Sequence, residues 1–257
     1  MSKTALITGS TSGIGLAIAA AFAGKGYNIV FNGLEKNGPG IAAETAAKFE
    51  VDHLFFDADL KDPGQIQQMV AGSIAAFGNI DVLVNNAGIQ FVSKIEDFPD
   101  EKWRDLMAVH LDAAFRLSKA VWPGMQQKRS GAVINIASAH GLIASPYKSA
   151  YVAAKHGIIG LTRALAMEGG PFGITANAIC PGYVLTPLVE KQIPEQMQVH
   201  GMSREEVVEK IFLKEHAIKA FITPEAVAET ALFLANSAAA PFITGTALAI
   251  DAGWTAH

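Results

Sequence analysis

The amino-acid sequence predicts a doubly wound α/β fold built on a parallel sheet of about seven strands. Seven short β-branched or apolar runs alternate with longer helical patterns: TALIT, YNIVF, HLFF, DVLV, GAVINIA, ITANAI and TALAI. Most of these runs are apolar throughout, which is typical of strands that helices cover on both faces. Right-handed crossovers then place helices on both sides of one sheet. No linker or internal repeat interrupts the alternation, so we expect residues 1–257 to form a single domain.

Capping residues mark the starts of two helices. Asp62, Pro63 and Gln65 match an N-cap, a proline at the first helical position and a capping-box partner. Thr223 and Pro224 repeat the first two of these positions. We therefore expect one helix to begin at each site.

The longest break in the alternation lies between Pro181 and Thr223 and contains the most charged stretch, VEKQIPEQMQVHGMSREEVVEKIFLKEH. Structureless loops of this length are uncommon in compact domains, and the apolar spacing from Val207 to Phe212 predicts a helix within it. An insertion after the carboxyl end of a strand lies where α/β sheets bind ligands. We interpret residues at about 185–220 as a helical substrate lid; a solvated surface hairpin of helices is the alternative.

Composition and charge narrow the classes of function. Hydrophobic residues make up 50% of the chain and charged residues 17%, and the net charge of −4 provides no basic surface for nucleic acid. The single cysteine, Cys180, lies in an apolar run, where we expect a buried, inert thiol in a reducing compartment. The sequence shows neither a signal-peptide pattern nor an apolar run of membrane-spanning length. We expect a cytoplasmic protein with no membrane or nucleic-acid partner and no metal.

A glycine-rich turn joins the first strand to the first helix. Gly9, Gly13 and Gly15 in LITGSTSGIGLAI allow a tight turn, a close approach of backbone amides to a pyrophosphate, and close helix packing. The spacing is G-x-x-x-G-x-G. Its position predicts dinucleotide binding, and a turn that serves chain geometry alone is the alternative.

The end of the second strand bears on the choice between NAD and NADP. A carboxylate there often binds the adenosine ribose, whereas an arginine accommodates a 2′-phosphate. Asn32 and Gly33 occupy the position, and no arginine lies in this segment or in the glycine-rich turn. We predict NAD. Glu35 is placed to reach the ribose, whereas Lys36 is placed to reach a phosphate and keeps NADP as the alternative.

The stretch SAHGLIASPYKSAYVAAKHG carries the candidate catalytic residues. Tyr151 and Lys155 lie four residues apart in a helical pattern, so both side chains project from one face. An adjacent ammonium and a cationic nicotinamide would together lower the phenol pKa by roughly 2 to 3 units and prepare it for proton transfer. Ser138 ends a strand at the edge where substrates bind, and its hydroxyl is placed to hold a reacting oxygen. A core tyrosine followed by a surface lysine is the alternative.

From Thr4 to Trp254 the sequence resembles the short-chain dehydrogenase/reductase family. The matching motifs are TGSTSGIG (8–15), NNAG (85–88), Ser138 with YVAAK (151–155), and the dipeptide PG (181–182). In this order and spacing the motifs are highly specific.

The resemblance implies a Rossmann-type domain with a nicotinamide cofactor, NAD by the argument above. Tyr151 would be the acid/base, Ser138 would orient the carbonyl or alcohol, and Lys155 would lower the tyrosine pKa and bind the nicotinamide ribose. The residues expected at the cofactor are Gly9, Thr11, Gly13, Ile14, Gly15, Asp59, Leu60, Asn86, Ala87, Gly88, Tyr151, Lys155, Pro181, Gly182, Val184 and Thr186. Such proteins are usually tetramers, so we expect a homotetramer.

Two positions depart from related sequences. The helix AVHLDAAF carries His110 where the family generally has an asparagine that helps to relay protons through water to the lysine. Histidine also binds water and carries protons, so His110 is a candidate catalytic residue; a histidine merely packed in the helix is the alternative. Tyr183 replaces a tryptophan often seen in PGWV, which bears on pocket size and lid contacts.

Polar residues near the catalytic group predict an anionic substrate. Lys148 precedes Tyr151 by three residues, and His140 lies two residues after the catalytic serine. Two neutral donors, Gln90 and Gln192, would complete a carboxylate site. For each residue singly, solvent exposure is the alternative.

As a set, these residues resemble the (R)-3-hydroxybutyrate dehydrogenases of the family, whose pattern includes NNAGIQ, SAHGL, KSAYVAAKHG and TPLVEKQ. The resemblance implies that the four side chains bind the substrate carboxylate. It also implies that Trp254 closes the pocket, from this chain or from a neighbouring subunit.

The function predicted from the sequence is the reversible NAD-dependent oxidation of (R)-3-hydroxybutyrate to acetoacetate. Two alternatives remain open. One is an NADPH-dependent reductase of acetoacetyl or β-ketoacyl thioesters, which shares the catalytic group and needs room for a bulky carrier. The other is a protein that binds nicotinamide nucleotides without catalysis.

Overall fold

A single sheet of seven parallel strands organises residues 2–256, the part of the chain that the computed structural model describes. The strands are β1 (Thr4–Ile7), β2 (Asn28–Asn32), β3 (His53–Phe56), β4 (Val82–Asn85), β5 (Gly131–Ile136), β6 (Ile174–Pro181) and β7 (Ala247–Ile250). Their spatial order is β3-β2-β1-β4-β5-β6-β7, so all seven predicted runs are strands of the sheet. The order reverses between β1 and β4, and the crevice outside such a reversal is where doubly wound sheets bind ligands.

Helices cover both faces of the sheet. They are α1 (Gly13–Ala23), α2 (Gly38–Phe49), α3 (Pro63–Phe77), α4 (Asp100–Met107), α5 (Ala113–Lys128), α6 (Ser149–Gly169), α7 (Pro187–His200), α8 (Arg204–Val207) and α9 (Pro224–Asn236). Helices α1, α2 and α9 contribute to one buried cluster, and α3, α5 and α6 contribute to another. Within residues 2–256, no helix combines the length and hydropathy needed to cross a membrane.

The two clusters explain why the strands are apolar throughout. Along β1, Ala5 and Ile7 join the cluster with α1 and α9, whereas Leu6 joins the cluster on the other face. Successive side chains of a strand point to opposite faces, so a strand buried on both sides favours apolar residues at every position, and a buried polar one such as Asn135 is hydrogen-bonded.

The helix starts agree with the sequence except in one detail. The carboxylate of Asp62 accepts hydrogen bonds from the backbone N–H groups of Gly64 (2.7 Å) and Gln65 (3.3 Å), and Thr223 caps α9. The predicted capping box is wrong, because the Gln65 side-chain oxygen accepts the N–H of Asp59 (2.8 Å) instead of that of Asp62, and its NH2 group donates to the Asp62 carboxylate. The Asp62 N–H is already taken by the carbonyl of Asp59.

The segment predicted as a lid is helical and has a small core of its own. Helix α7 is followed by α8, which continues as a π-helical turn from Val208 to Phe212. The buried residues of this core are Ile193, Val207, Phe212 and Leu213, with Tyr183 packed against them. A bridge between Val184 and Ile222 closes the segment at its base. The predicted helix around 207–212 is therefore present, and its apolar side faces the exit of β6.

Candidate active site

A cleft of about 690 Å³ opens at the carboxyl edge of the sheet. All the predicted catalytic and substrate residues line it: Ser138, Tyr151, Lys155, His110, Gln90, His140, Lys148, Gln192 and Trp254. The predicted cofactor residues also line it, with the exception of Thr11. The side chain of Thr11 is buried, and its hydroxyl donates a hydrogen bond to the Glu35 carboxylate. Thr11 therefore holds a residue that lines the cleft without lining it itself.

The glycine-rich turn is shaped as its sequence requires. Gly9 and Gly13 have φ angles of +59° and +51°, which favour glycine. A Cβ atom at Gly15 would lie 2.1 Å from the carbonyl oxygen of Gly9, so only glycine fits there. The Asn86 amide donates to the carbonyls of Thr8 (2.9 Å) and Gly9 (3.1 Å), which fixes the turn against the end of β4. The turn and the start of α1 therefore present backbone to the cleft, as a pyrophosphate needs.

The far end of the cleft is acidic at the carboxyl end of β2. Glu35 lines it, whereas Lys36 does not. The Asn32 amide is occupied by the carbonyls of Phe56 (3.2 Å) and Ala58 (3.0 Å). The cation at this end, Lys61, is paired with a carboxylate outside the cleft lining. No arginine is among the lining residues of the described chain.

Three predicted catalytic residues converge in the middle of the cleft. Helix α6 carries Tyr151 and Lys155 on one face, with the ammonium 5.5 Å from the centroid of the tyrosine ring. The Lys155 ammonium donates to the carbonyl of Ile136 (2.7 Å), so β5 holds it. Ser138 follows β5 and is buried beside Tyr151. The prediction that the Tyr151 and Lys155 side chains project from one face of a helix is confirmed.

Lys148 and His140 stand beside this catalytic group. The Lys148 ammonium lies 5.9 Å from the centroid of the Tyr183 ring, and no carboxylate of the described residues forms a salt bridge with it. The imidazole of His140 hydrogen-bonds through Nε2 to the Ser145 hydroxyl (2.8 Å). A partly buried ammonium without a counter-charge suits an anionic ligand.

Tyr183 and Trp254 form an aromatic wall at the end of the cleft. Their rings stack with centroids 5.3 Å apart and an interplanar angle of 8°. Trp254 also meets His140 edge-on at 5.1 Å. The sequence did not decide whether this tryptophan comes from the same chain or from a neighbouring subunit. Trp254 lines the cleft of its own chain.

Comparisons with known proteins agree with this geometry. A protein-family profile described as Enoyl-(Acyl carrier protein) reductase matches residues 9–255. The chain is 53% identical over 261 residues to the D-beta-hydroxybutyrate dehydrogenase of Rhizobium meliloti (strain 1021), with 100% of both chains covered. The chain belongs to the short-chain dehydrogenase/reductase family.

Two further relatives carry different names. The D-beta-hydroxybutyrate dehydrogenase of Cupriavidus necator is 45% identical over 99% of this chain and 98% of its own. A 3-oxoacyl-[acyl-carrier-protein] reductase, FabG of Staphylococcus aureus (strain N315), is 33% identical over 98% of each chain. Both kinds of relative match nearly the whole short-chain dehydrogenase/reductase domain.

Burial dominates the electrostatics of Tyr151 and Lys155. It raises the pKa of the Tyr151 phenol, and the Ser138 hydroxyl offsets part of this rise. Burial also lowers the pKa of Lys155 to about 8. The predicted lowering of the tyrosine pKa includes the charge of a bound nicotinamide, so it stays a prediction for the complex with cofactor.

His110 is buried in a π-helical turn, Ala108–Asp112, between α4 and α5. Its Nε2 lies 2.7 Å from the carbonyl oxygen and 3.2 Å from the backbone nitrogen of Ile89, and Nδ1 has no hydrogen-bond partner among the described residues. The ring meets Tyr151 edge-on at 5.3 Å and leaves no room for a Cβ atom at Gly88. Burial, with the Lys155 charge, lowers the His110 pKa to about 3. The imidazole is neutral at pH 7 and packs against Tyr151.

Acidification from about pH 6.5 to about 5.5 is expected to destabilise the fold. His110 and His140 have pKa values of about 3 and about 4, both lowered chiefly by burial from 6.5. In this window the unfolded chain therefore binds protons that the folded chain does not, so the free energy of unfolding falls as the pH falls. Well above pH 6.5 neither state binds these protons, and the free energy of unfolding is unaffected. Each histidine costs about 1 kcal/mol of unfolding free energy over that unit. Urea unfolding at each pH measures the loss, and His110→Asn is expected to remove half of it; a stability that stays constant would contradict the assignment.

One buried residue at the site was missed in the sequence. His216 lies behind the aromatic wall, with its ring centroid 5.6 Å from that of Trp254, and its Nε2 accepts the N–H of Tyr183 (3.3 Å). Its partners come from segments that are distant in sequence, and no motif surrounds it. Only the tertiary arrangement at the carboxyl edge identifies it.

Proposed function

We propose that this short-chain dehydrogenase/reductase catalyses the reversible NAD-dependent oxidation of (R)-3-hydroxybutyrate to acetoacetate. The observation that carries the proposal is the Lys148 ammonium, which lies in the cleft beside Tyr151 and has no salt bridge to a described carboxylate. Gln90 and Gln192 line the same cleft and are placed to add neutral donors. The names of the relatives at 53% and 45% identity support the same substrate.

The chain's own residues would perform the proton chemistry. The Tyr151 phenolate takes the proton of the C3 hydroxyl, and Ser138 holds the oxygen as it becomes a carbonyl. Lys155 supplies positive charge next to the phenolate. NAD, when bound along the glycine-rich turn, supplies the acceptor for the electron pair that leaves with the C3 hydrogen. In the reverse direction the phenol returns the proton to the acetoacetate oxygen.

We propose that His110 takes the place of the relay asparagine. The ring is neutral, lies against Tyr151 and has no Nδ1 partner among the described residues. In the tautomer whose Nε2 donates to the Ile89 carbonyl (2.7 Å), Nδ1 has a free lone pair that can accept a hydrogen bond from water or from an ammonium. His110 would thus connect the catalytic group to a proton acceptor without carrying charge itself.

The preference for NAD is attributed to Glu35. Its carboxylate at the ribose end of the cleft would repel a 2′-phosphate, and no lining arginine among the described residues offsets that repulsion. We expect Glu35→Gln to raise kcat/KM for NADP about tenfold and to change that for NAD much less. The matched control is Glu168→Gln, which neutralises an exposed carboxylate on α6 far from the ribose end. An unchanged NADP constant would remove Glu35 from the account.

We propose that residues at about 185–220 close over the substrate as a lid. Val189 and Gln192 of α7 line the cleft, and Tyr183 packs both on Trp254 and on the core of the helical segment. NADH with (R)-3-hydroxybutyrate forms a complex that cannot react. In that complex we expect slower hydrogen exchange of the backbone amides between Leu185 and Lys219 than with either ligand alone. Equal exchange in all three samples would count against closure.

We also propose that the whole chain, 1–257, is one domain and assembles as a cytoplasmic homotetramer. Exposed apolar side chains at two separate places support contacts between copies: Trp103 and Phe115 on α4 and α5, and Phe242 and Leu248 at the β7 edge. The buried thiol of Cys180, whose pKa burial raises to about 11, suits a reducing compartment. Sedimentation equilibrium measures the subunit number, and a monomeric mass would refute the assembly.

The runner-up is an NADPH-dependent reductase of acetoacetyl or β-ketoacyl thioesters, which the 33% identical FabG relative favours. The stacked Tyr183 and Trp254 restrict the space that a bulky carrier needs. Initial rates with acetoacetate and NADH, compared with acetoacetyl-coenzyme A and NADPH, decide between the two. We expect the first pair to react faster; faster turnover of the thioester would select the runner-up. Turnover of neither pair, with cofactor bound, would favour a non-catalytic binding protein.

A further inference from the structure

We infer that His216 is a positioning residue that holds the aromatic wall of Tyr183 and Trp254 and thereby limits the length of the acid that the site accepts. The inference rests on the proposed function, because it concerns discrimination among 3-hydroxy acids. His216 does not line the cleft and touches no reacting atom.

The hydrogen bonds of His216 leave its ring a single orientation. A backbone N–H can only donate and a carbonyl can only accept. Nε2 of His216 therefore accepts from the Tyr183 N–H (3.3 Å), and Nδ1 donates to the Ala220 carbonyl (3.2 Å). The side chain is only 1% exposed, so neither bond is replaced by solvent.

Close packing fixes the same ring from two further directions. Its centroid lies 5.6 Å from the Trp254 ring and 6.1 Å from the Tyr183 ring. A Cβ atom at Gly182 would lie 2.8 Å from Nε2 of His216, so the backbone before Tyr183 passes directly over the imidazole.

His216 thus joins three segments that meet only in the fold. These are the exit of β6, the end of the helical segment, and the C-terminal turn around Trp254. Backbone bonds run alongside it, from Ile218 N–H to the Ala252 carbonyl (3.0 Å) and from Ile222 N–H to the Tyr183 carbonyl (3.0 Å). Those bonds hold the segments near one another, and the His216 ring contacts both rings of the wall.

A shift of the wall would reach the substrate end of the cleft. Tyr183 lies beneath the Lys148 ammonium, and Trp254 lies against His140. Lys148 and His140, two of the four residues of the proposed carboxylate site, therefore rest on the wall. Loss of the His216 bonds should weaken binding of the short acid and open space for a longer one.

The test compares His216→Phe, which keeps a ring but loses both hydrogen bonds, with His216→Gln, whose amide oxygen can reach the Tyr183 N–H. For His216→Phe we expect KM for (R)-3-hydroxybutyrate to rise about tenfold. We expect the preference for that acid over (R)-3-hydroxyhexanoate to fall about tenfold, with KM for NAD nearly unchanged. His216→Gln is expected to keep KM for (R)-3-hydroxybutyrate and the preference for that acid close to their wild-type values. The matched control is His53→Phe, on β3 at the opposite edge of the sheet from the aromatic wall.

Each outcome decides the inference. The inference would be overturned if the acid preference is unchanged in His216→Phe. It would also be overturned if kcat/KM falls equally for both acids and for NAD and His216→Gln shows the same fall. If His216→Phe does not fold, His216→Asn replaces it, because its shorter amide cannot span both partners and should show the same loss of preference.

A readout that needs no turnover separates this inference from the proposed function. The stacked Tyr183–Trp254 pair should give a near-ultraviolet circular dichroism band that Trp254→Phe removes. His216→Phe should weaken that band, and an unchanged band would overturn the inference. A wild-type protein that turns over no 3-hydroxy acid would refute the proposed function and leave the spectroscopic test in force.

Discussion

Replacement of Tyr151 by phenylalanine is expected to lower kcat for (R)-3-hydroxybutyrate by about 10³-fold or to abolish it. The phenol lies next to Ser138, and phenylalanine keeps the ring contacts with His110 while removing the proton carrier. Binding of NAD should stay nearly intact, because most of the expected cofactor contacts come from the glycine-rich turn and the strand ends. Steady-state kinetics with a fluorescence titration of NADH measures both quantities.

The matched control is Tyr147→Phe, which removes a hydroxyl from an exposed tyrosine four residues earlier. That variant should retain wild-type turnover. Substantial turnover in Tyr151→Phe would refute the acid/base assignment, and equal losses in both variants would point to a general disturbance of the loop before α6.

Removal of the Lys148 ammonium is expected to produce the second large effect. A charge-assisted hydrogen bond to a carboxylate is worth about 1.5 to 3 kcal/mol, so Lys148→Ala should lower kcat/KM for the acid roughly 10- to 150-fold. The loss should appear mainly in KM for the acid, with KM for NAD little changed. Initial rates over a range of acid and NAD concentrations separate the two.

Lys119→Ala, at an exposed position on α5, serves as the control for charge removal alone. An unchanged KM and kcat in Lys148→Ala would remove the anion anchor and with it the main argument for a carboxylate substrate. A loss confined to NAD would assign Lys148 to the cofactor instead.

Local patterns were sufficient to predict much of the fold and site. Strands buried on both faces require continuous apolar runs, as in GAVINIA, and these are visible without any tertiary knowledge. The four-residue spacing of Tyr151 and Lys155 fixes their common helix face wherever the helix lies. The need for glycine at position 15 was also predictable, because a strand-to-helix turn around a pyrophosphate leaves no space for a side chain there.

Features that depend on burial or on distant partners were not predictable. The pKa of Tyr151 is raised because the fold removes water from around it, and sequence spacing carries no measure of that desolvation. Thr11 belongs to a motif yet donates to Glu35. The Gln65 oxygen accepts from Asp59 and not from Asp62, whose N–H already donates to the Asp59 carbonyl. His216 acquires its place only when the exit of β6 and the C-terminal turn meet.

The central claim is tested most directly by the appearance of reduced cofactor with the purified protein, using (R)- and (S)-3-hydroxybutyrate each with NAD and NADP. We expect turnover of the (R)-acid with NAD and little or none in the other three mixtures. Absence of turnover in all four, or a preference for the (S)-acid, would contradict the account.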